Sequence, residues 1–153
     1  MRANVFRNVA IGLILLGVMG MVYPRQGKAD EESKGMQRVV TCVTTDDVNR
    51  AAMAIEVTKA IMRERNVEGV LFFNVYGVNL VKARKLSPEY GDGRSIATML
   101  AEFMAAGGKV LACPMCMKNV GNMTNADLLE GVVAVRGAGV RAISEPDTLV
   151  LSY

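Results

Sequence analysis

Short runs of β-branched and other apolar residues alternate with segments of helical periodicity along most of this chain. The apolar runs predict five strands, at 37–44, 69–75, 109–112, 132–135 and 148–152. Helical spacing and capping residues predict helices at 47–65, 95–106, 115–120 and 137–144. Strands that alternate with helices form a parallel sheet with both faces covered. We therefore expect an α/β fold with three layers, α/β/α, around a five-stranded, mainly parallel sheet.

The N-terminal residues have the composition of a secretory signal. Arg2 and Arg7 give a positively charged start, and an apolar and glycine run of 14 residues follows at 9–22. Small residues within 27–29 then provide a cleavage site before Asp30. A bilayer span needs about 20 apolar residues, so the run is short for a membrane helix. We predict a cleaved signal, with an uncleaved N-terminal anchor as the alternative.

This interpretation divides the chain into a signal at 1–29, a flexible polar leader at 30–35 and one domain at 36–153. The domain would be periplasmic or secreted, and it would touch a membrane only through an uncleaved signal segment. The signal also accounts for the formal net charge of +3, because it holds four basic and no acidic residues. The remainder has 14 basic against 15 acidic residues. We therefore expect no nucleic-acid partner.

A Cys-x-x-Cys pair at the end of the predicted third strand is the strongest candidate site. The chain contains no His, which excludes His-based triads, His general bases and His-ligated metals. Cys113, at a strand end and facing the first turn of a helix, meets free N–H groups that stabilise a thiolate. Lys118 is a nearby cation. We predict Cys113 as the nucleophile and Cys116 as the resolving thiol on the same helix face.

Two other interpretations of this pair remain open. Cys113 and Cys116 would be inert if they only fill space in the core. Thiolates and thioethers also favour Cu(I), so the pair with Met115 and Met117 would make a soft-metal site. Met side chains, Met123 among them, are more often core filling than ligands. With either role for the pair, the chain is expected to need no other cofactor.

Several further residues have both a functional and a simpler explanation. Cys42 is predicted to be a core cysteine, and only a place near its strand end would let it pair with Cys113 or Cys116. Asn74, Tyr76 and Asn119 would line the same end of the sheet or be ordinary turn residues. Three basic residues lie close together in the sequence: Lys82, Arg84 and Lys85. They would attract an anion or form a solvated basic face.

Three pieces in order resemble the DsrE/DsrF-like (YchN-like) sulfur-relay family. The first is Phe-Phe-Asn leading to Gly-Val within 72–78, and the second is Gly-Gly-Lys-Val-Leu-Ala-Cys at 107–113. The third is the run 113–121 followed by Asp-Leu-Leu and Gly-Val within 127–132. The resemblance covers roughly residues 37–153.

The resemblance implies a three-layer α/β/α fold of flavodoxin-like topology with a five-stranded, mainly parallel sheet, in homotrimers or hexamers. It also implies a persulfide on a cysteine after a strand and ahead of a glycine, the positions of Cys113 and Gly121. The chain would then be a sulfur carrier or sulfurtransferase-type protein that forms a persulfide or disulfide at Cys113 with Cys116 assisting. Its partners would be sulfur-donor and sulfur-acceptor proteins or small sulfur compounds. A structural oligomeric protein without cysteine chemistry is the alternative.

Cys116 and the export signal are departures from the family's characterised relays, which are cytoplasmic. A role in tRNA thiolation is therefore not expected. The protein would act as a turnover enzyme or as a stoichiometric carrier.

Overall fold

The computed structural model describes residues 35–83 and 86–153. The predicted signal at 1–29 and nearly all of the leader lie outside the described residues. The described chain contains one four-stranded sheet with the order β3-β2-β1-β4, and every pairing in it is parallel. The strands are β1 (Arg38–Val43), β2 (Glu68–Phe73), β3 (Lys109–Ala112) and β4 (Thr148–Ser152).

Helices of several kinds connect these strands. The α-helices are α1 (Val48–Arg65), α2 (Ile96–Ala105), α3 (Pro114–Cys116) and α4 (Ala138–Ser144). Two 3-10 helices lie at Val75–Val81 and Asn125–Asp127, and α3 continues as a π-helical turn at Met117–Gly121. Within the described parts of the chain, no helix has the length and apolar character needed to cross a membrane.

Local capping residues determine where the two long helices begin and where α1 ends. Asp47 accepts a hydrogen bond from the backbone N–H of Arg50 at 2.8 Å, and Asn66 ends α1 in the left-handed conformation. Ser95 caps α2 by accepting from the N–H of Thr98 at 3.1 Å. The predicted helices at 47–65 and 95–106 are confirmed to within a residue at each end.

Helices pack on both faces of the sheet, which confirms the three-layer α/β/α class. Alternate strand residues such as Leu71 and Phe73 face α1 and α2 and form the larger core cluster. The opposite face carries a smaller cluster in which Val40 and Val70 pack against Ala142 of α4. A Cβ on Gly139 would lie 2.2 Å from the Phe72 ring, so glycine lets α4 approach the sheet closely.

The sheet differs from the expected one in strand count and strand order. The predicted strand at 132–135 contributes only one parallel bridge, in which Val133 pairs with Leu111. Gly131 and Gly137 have positive φ and turn the chain on either side of this segment, which limits its pairing. The order 3-2-1-4 also differs from the 2-1-3-4-5 order of flavodoxin-like sheets, because β2 and β3 follow on one side of β1 and the last strand returns to its other side.

Candidate functional site

Cys113 directly follows β3, at the carboxyl edge of the sheet. Its backbone N–H donates to the carbonyl oxygen of Phe73 at 2.9 Å, which extends the ladder between β2 and β3 by one residue. Pro114 then starts α3, where a missing N–H costs nothing. This edge is where open parallel sheets place their ligands. The position is the one that the sequence pattern predicts for the nucleophile.

The two cysteines of the pair interact directly. The sulfur of Cys113 accepts a hydrogen bond from the backbone N–H of Cys116 at 3.5 Å, and so caps the first turn of α3. The carbonyl oxygen of Cys113 accepts from the N–H of Met117 at 2.9 Å. Both thiols are free and partly exposed. The turn therefore holds the two sulfur-bearing residues side by side with access to solvent.

The surroundings of Cys116 favour its protonated form. Burial raises the pKa of the Cys116 thiol above its usual value, and a hydrogen bond and charge repulsion from Cys113 raise it further. A hydrogen bond from the backbone N–H of Val75 acts in the opposite direction and lowers that pKa. Burial and the neighbouring Cys113 therefore disfavour the thiolate form of Cys116.

The 3-10 helix at Val75–Val81 packs against α3 and the π-helical turn and forms the wall of the site. Its first residue, Val75, has φ of +47°, a left-handed conformation that is uncommon for a β-branched side chain. The N–H of Tyr76 donates to the carbonyl oxygen of Thr44 at 3.1 Å. The wall is thus attached to the end of β1, and it lies against α3, which carries Cys116.

The comparisons with known proteins agree with this geometry. A sequence model of the DsrE/DsrF-like family matches residues 37–150. The chain belongs to the DsrE/DsrF-like family. Membership supports a general role in sulfur relay, and no curated protein matches the sequence.

Solved structures show the DsrE/DsrF-like fold with low sequence identity. The chain is similar to the YchN protein from Escherichia coli, with a TM-score of 0.57 and 17% identity over 77% of this chain and 99% of that one. It is also similar to BT1422 from Bacteroides thetaiotaomicron, a conserved protein of unknown function. That match has a TM-score of 0.54 and 15% identity over 75% of this chain and 94% of the other. These likenesses concern the fold alone.

The methionines near the pair in this DsrE/DsrF-like protein lie in different environments. Met117 is 2% exposed and belongs to the larger core cluster, as does Met123. Met115 is 69% exposed. Among the described residues, no group of three or more His, Cys, Asp or Glu is placed to hold a metal ion. The structure therefore brings the two cysteines together and gives the two candidate thioether ligands opposite surroundings.

The other residues singled out from the sequence have varied positions. Lys82 donates from its ammonium group to the carbonyl oxygen of Gly121 at 3.3 Å, so it supports the end of the π-helical turn. Lys118 and Asn119 are exposed on that turn, and Tyr76 is 58% exposed on the wall of the site. Arg84 and Lys85 lie outside the described residues.

Asn74 lies next to Cys113 at the ends of neighbouring strands. The register pairs Phe73 with Ala112, and the N–H of Asn74 continues the ladder by donating to the carbonyl oxygen of Val43 at 3.0 Å. The side-chain oxygen of Asn74 is buried and has no hydrogen-bond partner in the part of the chain that the structure describes. Of the polar residues expected at this edge, Asn74 is the one placed beside the nucleophile.

Cys42 lies within β1, where it pairs with Phe72 of β2 and Ser152 of β4. Burial raises the pKa of its thiol. Two strand spacings of about 4.8 Å separate β1 from β3, so the backbone of Cys42 is too far from Cys113 for a disulfide. Cys42 is half-buried and belongs to neither core cluster, so the predicted core position is not the one found, and pairing with Cys113 is not possible in this fold.

The positive φ of Val75 is a feature of the site's wall that the sequence patterns miss. Its β-branched side chain favours an extended conformation, so nothing local predicts a positive φ there. The one local signal is Gly77, because the residues around it, 76–78, are typical of a turn. That turn is part of the observed 3-10 helix.

Proposed function

We propose that this protein is an exported sulfur carrier in which Cys113 holds transferable sulfur as a persulfide and Cys116 assists. The hydrogen bond from the N–H of Cys116 to the sulfur of Cys113, at 3.5 Å on the carboxyl edge of the sheet, carries this proposal. Membership of the DsrE/DsrF-like family supports it. Export rests on the signal-like composition of residues 1–29.

Loading of the carrier requires one exchange of sulfur–sulfur bonds. The thiolate of Cys113 attacks the outer sulfur of a donor persulfide, R–S–SH. A bond forms between the Cys113 sulfur and that outer sulfur, the bond inside the donor breaks, and the donor leaves as RS⁻. The product is a Cys113 persulfide, and no external oxidant or reductant is consumed.

Discharge follows one of two routes from the loaded state. An acceptor thiolate that attacks the outer sulfur becomes a persulfide and leaves the Cys113 thiolate ready for another cycle. Alternatively, the thiolate of Cys116 attacks the Cys113 sulfur itself, forms a disulfide with it and expels hydrosulfide, HS⁻. The second route consumes both thiols, so a dithiol must reduce the disulfide before the next cycle.

Intact mass is the measurement that tests this function. We expect the anaerobically purified mature protein to gain one sulfur atom after incubation with a sulfane-sulfur donor, and to lose it to a reductant. Cys113→Ser should abolish the gain, and Cys42→Ser, a matched removal of a partly buried thiol, should not. Unchanged loading of the Cys113→Ser variant would exclude the assigned nucleophile. One-to-one Cu(I) binding without sulfur gain would favour the soft-metal alternative.

The same spectrum tests export, because cleavage before Asp30 defines the mass of the mature chain. A chain that retains its first residues after secretion would instead indicate the uncleaved anchor. Recovery of the protein in a periplasmic extract would indicate a cleaved signal, and recovery in a membrane pellet would indicate an uncleaved anchor.

We propose that the chain forms a homo-oligomer, a trimer or hexamer, through the apolar surface around α4. This helix has only seven residues and leaves large apolar side chains exposed on itself and beside it. They are Val133, Val135, Val140, Ile143 and Val150. Sedimentation should show that Val140→Glu reduces the oligomer, while Met53→Glu on exposed α1 does not. An unchanged oligomer in the Val140→Glu variant would place the interface elsewhere.

A further inference from the structure

The last strand of the sheet, β4, has an open edge. Within the described residues the strand order is β3-β2-β1-β4, so β1 pairs with one side of β4 and no strand pairs with its other side. The strand reads Thr-Leu-Val-Leu-Ser, without a charge, a proline or a glycine. Charged residues, prolines and bulges usually protect open edges, because unpaired backbone groups there recruit other strands. The regular, apolar edge of β4 lacks this protection.

The hydrogen bonds at the end of β4 show which of its backbone groups face outward. The N–H and C=O groups of Tyr153 both bond, at 2.9 Å, to backbone groups of β1 and the residue after it. Tyr153 therefore directs both groups towards β1. Because this direction alternates from one residue to the next, the N–H and C=O groups of Thr148, Val150 and Ser152 face the open edge.

The side chains of β4 are apolar on both faces of the sheet. Leu151 pairs in register with Thr41, whose hydroxyl lies 2.6 Å from that of Thr58 in α1. Leu149 and Leu151 therefore lie on the α1 face, and Val150 lies on the opposite face. Leu149 is 38% exposed and Val150 is 45% exposed, so β4 presents apolar surface to solvent along its edge.

An apolar groove lies beside Leu149. Its volume is about 660 Å³, and its lining comprises Gly35, Met36, Ile61, Arg65 and Leu149. Three of these five residues have large apolar side chains. A strand that joins a sheet edge gains affinity from backbone hydrogen bonds and specificity from pockets for its alternate side chains. The groove provides such a pocket next to the open edge.

We propose that β4 pairs in antiparallel direction with β4 of a second copy of this chain, about a two-fold axis at Val150. The pairing joins two four-stranded sheets into one continuous sheet. In this register Thr148 faces the partner's Ser152, and Leu149 faces the partner's Leu151. Each outward N–H group then meets an outward C=O group of the other copy.

The sequence of β4 favours a second copy over an unrelated strand. Thr-Leu-Val-Leu-Ser reads nearly the same in both directions, so antiparallel pairing places similar residues opposite each other at every position. Polar residues meet polar residues, leucines meet leucines, and no charge is buried. The partner's Leu151 lies beside Leu149 and extends the apolar lining of the groove. A two-fold interface requires a self-complementary surface, which this strand provides.

The β4 contact differs from the proposed α4 surface in the symmetry that it creates. A cyclic trimer has one type of interface, whereas a hexamer of two trimers also needs two-fold contacts. Pairing through β4 supplies those contacts. The step from trimer to hexamer rests on the α4 interface proposed above, and the pairing itself does not. Val150 borders both surfaces, so the tests change Leu149 and Leu151.

Sedimentation of the purified protein tests the pairing. We expect an even number of copies, in a dimer or a hexamer. Leu149→Lys places a charge on the edge and should halve that number. Met53→Lys places the same charge on α1, at a residue that is 48% exposed, and should leave the number unchanged. A monomeric or trimeric parent, or an unchanged Leu149→Lys variant, would overturn the proposal.

Disulfide trapping tests the register in chains whose three native cysteines are replaced by serine. Leu149→Cys in one copy and Leu151→Cys in the other have a Cα separation of about 4.5 Å in this register, which a disulfide can bridge. A mixture of the two variants should therefore crosslink on oxidation by diamide. The Leu149→Cys variant alone should not, because its paired copies hold the two cysteines about 8 Å apart. The opposite pattern would overturn the proposal.

Residues 30–34 are the competing occupant of the edge, since they directly precede Gly35 in the groove. A chain that begins at Gly35 should contain the same number of copies as one that begins at Asp30. A larger assembly of the shorter chain would show that the leader covers the edge, and the proposal would be wrong. Sulfur loading at Cys113 is a separate measurement, so a failure of pairing and a failure of the proposed function give different results.

Discussion

The backbone N–H of Cys113 donates a hydrogen bond to the carbonyl oxygen of Phe73, 2.9 Å away. The main chain of the candidate nucleophile is therefore still part of the sheet, while its sulfur already caps the next helix. A rigid strand end positions the Cys113 sulfur, and the neighbouring 3-10 helix supplies the surroundings of Cys116. Changes in this wall should alter stability and sulfur chemistry together, whereas changes at the opposite end of the sheet should alter stability alone.

Gly77→Ala should destabilise the fold by about 3 kcal/mol, the upper range for overpacking a closed site. The added Cβ would lie 2.1 Å from the carbonyl oxygen of Val43, and a backbone atom cannot move aside as a side chain can. Urea unfolding measures the change. Gly91→Ala is the control, because its Cβ would have no atom within 4 Å, and its effect should stay near zero. Equal values for the two variants would show that the 3-10 helix is free to move from β1.

Val75→Asn should stabilise the protein by about 1 kcal/mol. Asn tolerates the left-handed region, where other L-residues lose roughly 1–2 kcal/mol, and the exposed Val side chain contributes little burial. Val120→Asn provides the comparison, since Val120 is similarly exposed at 39% and is not among the described residues with positive φ. The midpoint temperature of thermal unfolding should rise only for the Val75→Asn variant. A loss of stability there would mean that the Val75 side chain contributes packing that outweighs its strain.

Thr58→Val should cost about 1–3 kcal/mol because it leaves a buried hydroxyl without a partner. Thr58 donates to the carbonyl oxygen of Ala54 at 2.5 Å, so the 2.6 Å contact to Thr41 uses the hydroxyl proton of Thr41. Both threonines are 0% exposed. Thr41→Val should cost less, since Thr58 keeps its bond to Ala54. Denaturant unfolding of both single variants and the double variant gives a double-mutant cycle. An equal loss in the free energy of unfolding for the two single variants would contradict this proton assignment.

Acid should weaken the fold partly through Glu68. Burial raises the pKa of this carboxyl, but hydrogen bonds and charge from Lys109 and Arg38 outweigh burial and hold the pKa below its usual value. A depressed pKa in the folded state stabilises the protein at neutral pH. That contribution disappears as the pH falls below about 4.3, the unfolded value, towards the lower folded one.

Glu68→Gln should therefore lower stability at pH 7 and flatten its decline between about pH 5 and pH 3. Glu64 forms an exposed ion pair with Arg63. Glu64→Gln should therefore leave the decline of stability with falling pH as it is in the parent. Urea unfolding across this range gives both curves. A Glu68→Gln curve parallel to the parent would show that the cluster with Arg38 and Lys109 adds no acid sensitivity.

Local signals in the sequence predict much of this fold. Asp47 and Ser95 start helices because a side-chain oxygen accepts a neighbouring N–H, an interaction that needs only a few residues. The strands at Lys109–Ala112 and Thr148–Ser152 have the predicted bounds. The same local reasoning places the cysteine pair at the end of β3. The roles of Cys113 and Cys116 in sulfur transfer stay predictions.

The segment 132–135 shows where local signals are insufficient. Its apolar residues predict a strand, yet only Val133 pairs, with Leu111, and Val135 remains 52% exposed. A strand at the edge of a sheet needs a neighbour along its full length, and that neighbour comes from a distant part of the chain. Strand order has the same origin, since periodicity identifies strands but does not say which of them pair.

The sequence by itself determined the α/β class, the long helices with their caps and the position of Cys113 at the end of a strand, because each depends on interactions between nearby residues. Only the tertiary structure decided the conformation of Val75 and the burial of Met117. Gly77 meets Val43 from an earlier strand, and this contact imposes a conformation that the β-branched side chain would not adopt alone. The shape of this wall beside the cysteine pair is a consequence of packing between segments far apart in the chain.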